Sequence, residues 1–150
     1  MIANSVPYDI VFIIHVAAAI GTIMVFITMR FGAQAVARGA DAETQARRFP
    51  QRRNWAARLL HVLPITGLIM SGSGSSSVSI GRPWIIVGLV CYVAAAGHLE
   101  ARTLPQERVL AASIARDGVA SPKLGRSMVA SMDVLLAIVA IAVVSMFAQF

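Results

Sequence analysis

Charge is scarce in this chain. Only 13% of its residues are Asp, Glu, Lys or Arg, against roughly 25% in an average soluble domain. Acidic residues number seven, and lysine occurs once, as Lys123. Cysteine also occurs once, as Cys91. That excludes an intramolecular disulfide and any zinc or iron–sulfur cage built from several thiolates. Set inside an apolar segment, Cys91 reads as a small packing residue. Aromatics are few and do not interleave with a basic polar surface, which argues against nucleic-acid binding. Catalytic signatures are missing too: no phosphate-binding glycine loop, no nucleophile elbow, no zincin histidine pair. The glycine/serine run at Ser71 to Ser77 lacks the lysine and following helix of a phosphate cradle. The first apolar segment lacks the embedded carboxylate that a proton-driven small exporter uses, carrying only His15 below Asp9. Met1 to Asp9 contains no basic residue, and no small-residue cleavage site follows. The first segment is therefore expected to stay in the protein as a membrane helix rather than be removed as a signal peptide.

What is abundant is apolar surface, 57% of residues. A soluble domain of 150 residues could not hide that much, because a large part of any small fold stays exposed. A bilayer solves the problem by acting as the apolar solvent. Four segments approach the ~20 apolar residues that cross a hydrocarbon core. The pattern predicts an all-α bundle of four transmembrane helices in one integral membrane domain, with spans at about 8–29, 55–71, 83–99 and 127–149. Pro64 is expected to bend the second span and free a carbonyl near Leu60. Pro83 suits the first turn of the third. Tyr8, Trp55 and Trp84 suit the interfaces.

Arginine decides orientation. Apart from Arg82, every basic residue lies in, or borders, the segments 30–54 and 100–126. The positive-inside rule makes both of these loops cytoplasmic, so both termini and the glycine/serine run from Ser71 to Gly81 face outside. In the first basic loop, Asp41 is predicted to cap a short helix from Ala42 to Phe49, which Pro50 interrupts. The loop is expected to lie along the inner surface, where its arginines attract anionic lipid. In the second, a helix is predicted from Gln106 to Arg116, with Gly118, Pro122 and Gly125 breaking the chain before the fourth span.

Ionisable residues at membrane depth are costly, and each is a functional candidate by default. His15 falls part-way down the first span. Arg58, His61, His98 and Asp133 fall in the inner half of the other three. Read structurally, these four form a polar cluster, with Arg58 paired to Asp133 and histidines bonding across helices. Read as a cofactor site, His61 with His98, or His15 with His61, could hold haem b between two imidazoles, arginines pairing with its propionates. A metal site using all three histidines is disfavoured, since His15 and His98 are far apart along the membrane normal.

The stretch from Tyr8 through Asp-Ile-Val-Phe-Ile-Ile to His15 and on to Gly21, the Arg58 to Gly67 segment, and Arg82-Pro-Trp84 carry a resemblance. Together they resemble the DUF2269-type predicted integral membrane proteins and, more distantly, the CopD-like and HemJ-like proteins. The HemJ-like resemblance implies His15 as an axial haem b ligand. The chain has Thr22 to Arg30 where those proteins place aromatic and basic residues. The DUF2269-type resemblance implies a topology and no reaction.

The expectation is a non-catalytic accessory or stabilising subunit of a larger assembly in a bacterial cytoplasmic membrane, a transporter or a respiratory complex. No residue is assigned a catalytic role. The alternative is a haem b redox protein using His15, His61 or His98. Small residues permit close helix contact, so two faces are candidates either for the bundle's own core or for docking another subunit: Gly88/Cys91/Ala95 on the third span, and Ala130/Ala137/Val144 on the fourth.

Overall fold

The computed structural model describes residues 6–72 and 81–148. Those residues build six helices: α1 (Val6–Ala37), α2 (Ala42–Arg48), α3 (Val62–Gly72), α4 (Pro83–His98), α5 (Leu104–Asp117) and α6 (Pro122–Ala148). A 3-10 segment, Ala56–His61, runs into α3, and a π segment, Leu99–Thr103, joins α4 to α5. No strand occurs among the described residues. Three helical stretches are long and apolar enough to cross a membrane: Tyr8–Ala37, Pro83–Asp117 and Pro122–Ala148; Ala56–Gly72 is apolar but shorter. Most of the glycine/serine run, residues 73–80, and the end of the fourth predicted span at 149 lie outside the described residues.

Local chemistry explains where the helices begin and end. The first helix stops where Gly39 takes φ +75°. The amides of Gly39 and Ala40 then close on the carbonyls of Val36 and Ala35, both at 3.0 Å. This double bond satisfies carbonyls that a helix end otherwise leaves open. At the end of α5, Gly118 (φ +81°) does the same with one bond, its amide reaching Ile114 O at 2.9 Å. Asp41 caps α2 as expected, with Oδ1 accepting from the Thr44 amide and Oδ2 from the Thr44 hydroxyl, each at 2.9 Å. Pro83 opens α4 at its first position.

Three expectations need correction. Pro64 does not bend a continuous helix. The chain before it is wound as a 3-10 segment, and Pro64 falls in the first turn of α3, where a missing N–H breaks no helical bond. The third span and the helix predicted from Gln106 to Arg116 are not separate. The helix passes through the π turn into α5, which begins one residue before Pro105. In an α-helix the Pro105 ring would meet the carbonyl four residues back; the wider turn relieves that clash. Finally, α6 starts at Pro122, and Gly125 lies inside it rather than breaking the chain.

The bundle is built around α1 and α6, which pack along each other; α3 lies on α1 and α4 on α6. At 32 residues, α1 is about 48 Å long, well beyond a ~30 Å hydrocarbon core. Its end, the start of α6, α2 and α5 together form a cap below the bundle. The buried apolar cluster sits in this cap and the adjoining half of the bundle: Phe26, Val36, Phe49, Leu99, Leu110, Ile114, Met128, Met132 and Leu135. The other half is thinly filled, and α3 and α4 barely touch.

Candidate functional site

Two kinds of feature stand out: polar ties between helices, and a cavity. The ties account for most of the ionisable residues at membrane depth. Arg58, on the 3-10 segment, donates from Nε to Glu100 Oε1 at 2.8 Å and from Nη2 to Glu100 Oε2 at 2.9 Å. This is the forked geometry that guanidinium and carboxylate favour. His61 joins the same carboxylate, with Nε2 3.4 Å from Oε1, while Nδ1 lies 3.1 Å from the Tyr92 hydroxyl on α4. The His61 and Tyr92 rings meet edge to face, their centroids 6.1 Å apart. Trp55 faces two guanidinium groups, Arg53 at 4.8 Å and Arg58 at 5.3 Å from the ring centroid, an attraction between cation and ring quadrupole.

The polar cluster expected from the sequence is therefore divided. Arg58 does not pair with Asp133. Asp133 faces the end of α1 and pairs with Arg30. His98 belongs to a third group: its Nε2 lies 2.9 Å from Ser131 Oγ on α6, and Ser131 Oγ lies 2.8 Å from the buried Thr103 hydroxyl. The physical reason is rotation about the helix axes. Residues at similar depth point to different neighbours, and depth was all that the sequence supplied.

His15 forms the fourth tie. Its Nδ1 lies 2.7 Å from Thr66 Oγ1 on α3. The Thr66 hydroxyl also lies 2.9 Å from the Val62 carbonyl and 3.1 Å from the Leu63 carbonyl, so its single proton has three acceptors within reach. When that proton goes to a backbone carbonyl, the neutral ring carries its own proton on Nδ1, and Nε2 is the lone-pair nitrogen. The hydrogen bonds of His15 run to the Thr66 hydroxyl and to the Leu63 backbone.

His15 also lines a cavity of about 450 Å³ between α3 and α4, closed behind by α1 and α6. Its walls include Tyr8 and Phe12 from α1, Leu63, Pro64 and Gly67 from α3, Trp84, Gly88, Cys91 and Tyr92 from α4, and Ile138 and Met146 from α6. The Gly88/Cys91/Ala95 face thus lines this interior space and is not an outer docking face. The other face considered, Ala130, Ala137 and Val144 on α6, is exposed.

Of the three histidines considered for haem b, each meets a different partner. His61 has both ring nitrogens engaged and His98 Nε2 rests on Ser131; of the three, only His15 lines the cavity. Among the described residues, no three His, Cys, Asp or Glu side chains converge as metal ligands would.

Sequence reasoning missed several partners. Glu100, at the start of the segment 100–126, holds Arg58 and His61. Gln45, 1% exposed, bridges the cap by donating to Ala40 O at 2.7 Å and accepting from the Ala120 amide at 2.8 Å. Asn54 accepts from the Ala57 amide at the head of the 3-10 segment and donates to Glu107 Oε1 at 2.8 Å. Nothing local distinguishes such residues from solvated ones. Only the position of Asn54, three residues before an amide that opens a helical segment, was a usable signal.

No protein-family model matches the chain, and neither a curated protein nor a solved structure does. The resemblance to DUF2269-type proteins rests on the sequence motifs alone.

Proposed function

We propose that this chain is a four-span protein of a bacterial cytoplasmic membrane, with segments 30–54 and 100–126 inside, acting as a non-catalytic accessory or stabilising subunit of a larger membrane assembly. Beside the three long apolar stretches, the remaining span, second in chain order, is Ala56–Gly72. Six 3-10 residues rise about 2.0 Å each and eleven α-helical residues about 1.5 Å each. The stretch is therefore about 28 Å long, close to the ~30 Å core. The 3-10 winding lets a short segment reach across. Arg47, Arg48, Arg52 and Arg53 are exposed on the cap, where anionic headgroups of an inner leaflet would meet them.

The observation that carries the subunit reading is the outward face of α6. Ala130, Ala137 and Val144 stand exposed at helical spacing. Small side chains allow the backbone-to-backbone approach on which association within a bilayer depends, since lipid supplies no hydrophobic drive between helices. A non-catalytic role agrees with the use made of Arg30, Arg58, His61, His98 and Asp133, each of which ties two elements together. Such inter-helix bonds contribute on the order of 0.6–2 kcal/mol each.

Purification of the full chain in mild detergent tests the reading. A stoichiometric integral membrane partner is expected to co-purify with the wild type and to be lost from Ala137→Trp, while that variant elutes as the folded monomer does. A partner retained by Ala137→Trp, or none with the wild type, overturns it. Orientation is checked by cysteine accessibility in a Cys91→Ala background. Position 75 should label from outside intact cells and position 113 should not; the reverse pattern overturns the topology.

A further inference from the structure

The cavity is unexplained by a purely structural role. Its volume, about 450 Å³, lies within the range of about 300–1,000 Å³ typical of small-molecule sites. It runs along α4 from Trp84 to Ala95, eleven residues and so about 16 Å. Glycine keeps it open. A Cβ on Gly88 would stand 3.4 Å from Met146 Cε, and one on Gly67 3.7 Å from His15 Cε1. Larger side chains there would fill the space from both sides. Because α3 and α4 barely touch, the cavity lies where a membrane-dissolved molecule can enter between them.

We infer that this cavity binds a hydroxylated aromatic lipid, of the hydroquinone or prenylated-phenol class, whose hydroxyl donates to His15 Nε2. The polarity of the handle follows from the hydrogen-bond network. Where Thr66 gives its own proton to the Val62 carbonyl it takes the Nδ1 proton, and Nε2 of the neutral ring then accepts and cannot donate. A ligand hydroxyl satisfies it; a carbonyl or an ether oxygen does not. The shape of the body follows from the walls. Phe12, Trp84 and Tyr92 present aromatic surface suited to a ring, and the aliphatic remainder suits a chain. This assignment goes beyond the subunit reading and stands whether or not a protein partner binds α6.

The test uses the full chain in nanodiscs, carrying Trp55→Phe so that Trp84 is the only tryptophan. The probe is decylhydroquinone, compared with its dimethyl ether. Saturable quenching of Trp84 by the hydroquinone is expected. The ether should bind about tenfold more weakly, the scale of one lost hydrogen bond. His15→Phe should erase the preference for the hydroxyl form, and Gly88→Leu should abolish saturable quenching of either kind. Where a variant fails to fold, the two ligands on the parent protein still decide. Equal affinity for hydroquinone and ether, non-saturable quenching, or saturable quenching that survives Gly88→Leu overturns the proposal. So does a Soret band in the purified protein that disappears in His15→Ala, which would give the cavity to haem.

Discussion

A Cβ placed on Gly125 would lie 2.8 Å from Ala37 Cα and 2.9 Å from the Ala33 carbonyl oxygen. The start of α6 therefore crosses α1 backbone against backbone. Neither atom belongs to a flexible side chain, so nothing can turn aside.

Gly125→Ala must push the two helices apart, a form of overpacking that costs about 1–3 kcal/mol. Gly97 is the control. It is also helical, but a Cβ there meets nothing within 4 Å, and alanine is the better helix former. The thermal midpoint in detergent should fall for Gly125→Ala and hold or rise for Gly97→Ala. Equal midpoints would mean that α6 does not cross α1 at this point.

Arg58 and Glu100 should behave as one unit. Either Arg58→Glu or Glu100→Arg alone sets like charges together and is expected to lower the yield of monodisperse protein. The double variant, which restores opposite charges with the positions exchanged, should recover much of that loss. Combining Arg58→Glu with Asp133→Arg should give no recovery, because Asp133 faces Arg30. Recovery from that second pair would restore the Arg58–Asp133 contact that depth alone suggests. A double-mutant cycle reads the difference.

Gln45 holds the cap from within. In Gln45→Leu the Ala120 amide and the Ala40 carbonyl both lose their partner. A buried polar group left unpaired costs about 1–3 kcal/mol. The effect should appear as faster proteolysis in segments 38–54 and 117–122, with the membrane-embedded helices still protected. Unchanged cleavage would show that water replaces the glutamine without cost.

Acid should loosen α2 before it loosens the bundle. Thr44, through its amide and then its hydroxyl, holds the Asp41 carboxyl below the usual carboxylate range. Its folded pKa is depressed, so its contribution is fully present above the ordinary unfolded value of about 3.9 and is lost as the pH falls through the folded one. Amide exchange at Thr44 and Gln45 should accelerate in that window, and Asp41→Ala should remove the pH dependence. If the wild type and Asp41→Ala show the same profile, the cap does not govern the helix end.

Much of the architecture was legible beforehand because the relevant signals are local. Apolar runs marked the long helices, Asp41 marked the cap of α2, and Gly118 marked the end of α5. The joins were less legible. Gly125 read as a breaker because glycine suits both a turn and a close helix crossing, and only a neighbour decides which. Pro64 announced a departure from regular α-helix without saying that it would be a 3-10 segment, and the π turn ahead of Pro105 was not foreseen.

The candidate site divides the same way. Composition and spacing identified His15, Arg58, His61, His98 and Asp133, since a polar side chain among apolar ones is conspicuous in any alignment of the chain with a bilayer. Their partners were decided by the rotation of each helix about its axis, about 100° per residue, which hydropathy does not encode once all faces are apolar. The sequence by itself therefore determined that the chain is helical, that it suits a membrane, and which residues are too polar to be there without a reason. The tertiary structure alone decided that Glu100 rather than Asp133 receives Arg58, that His15 meets Thr66, and that α3 and α4 stand apart around a cavity. Each of these depends on side chains distant in sequence meeting at a few ångströms, where a turn of one helix by a single residue would exchange one partner for another.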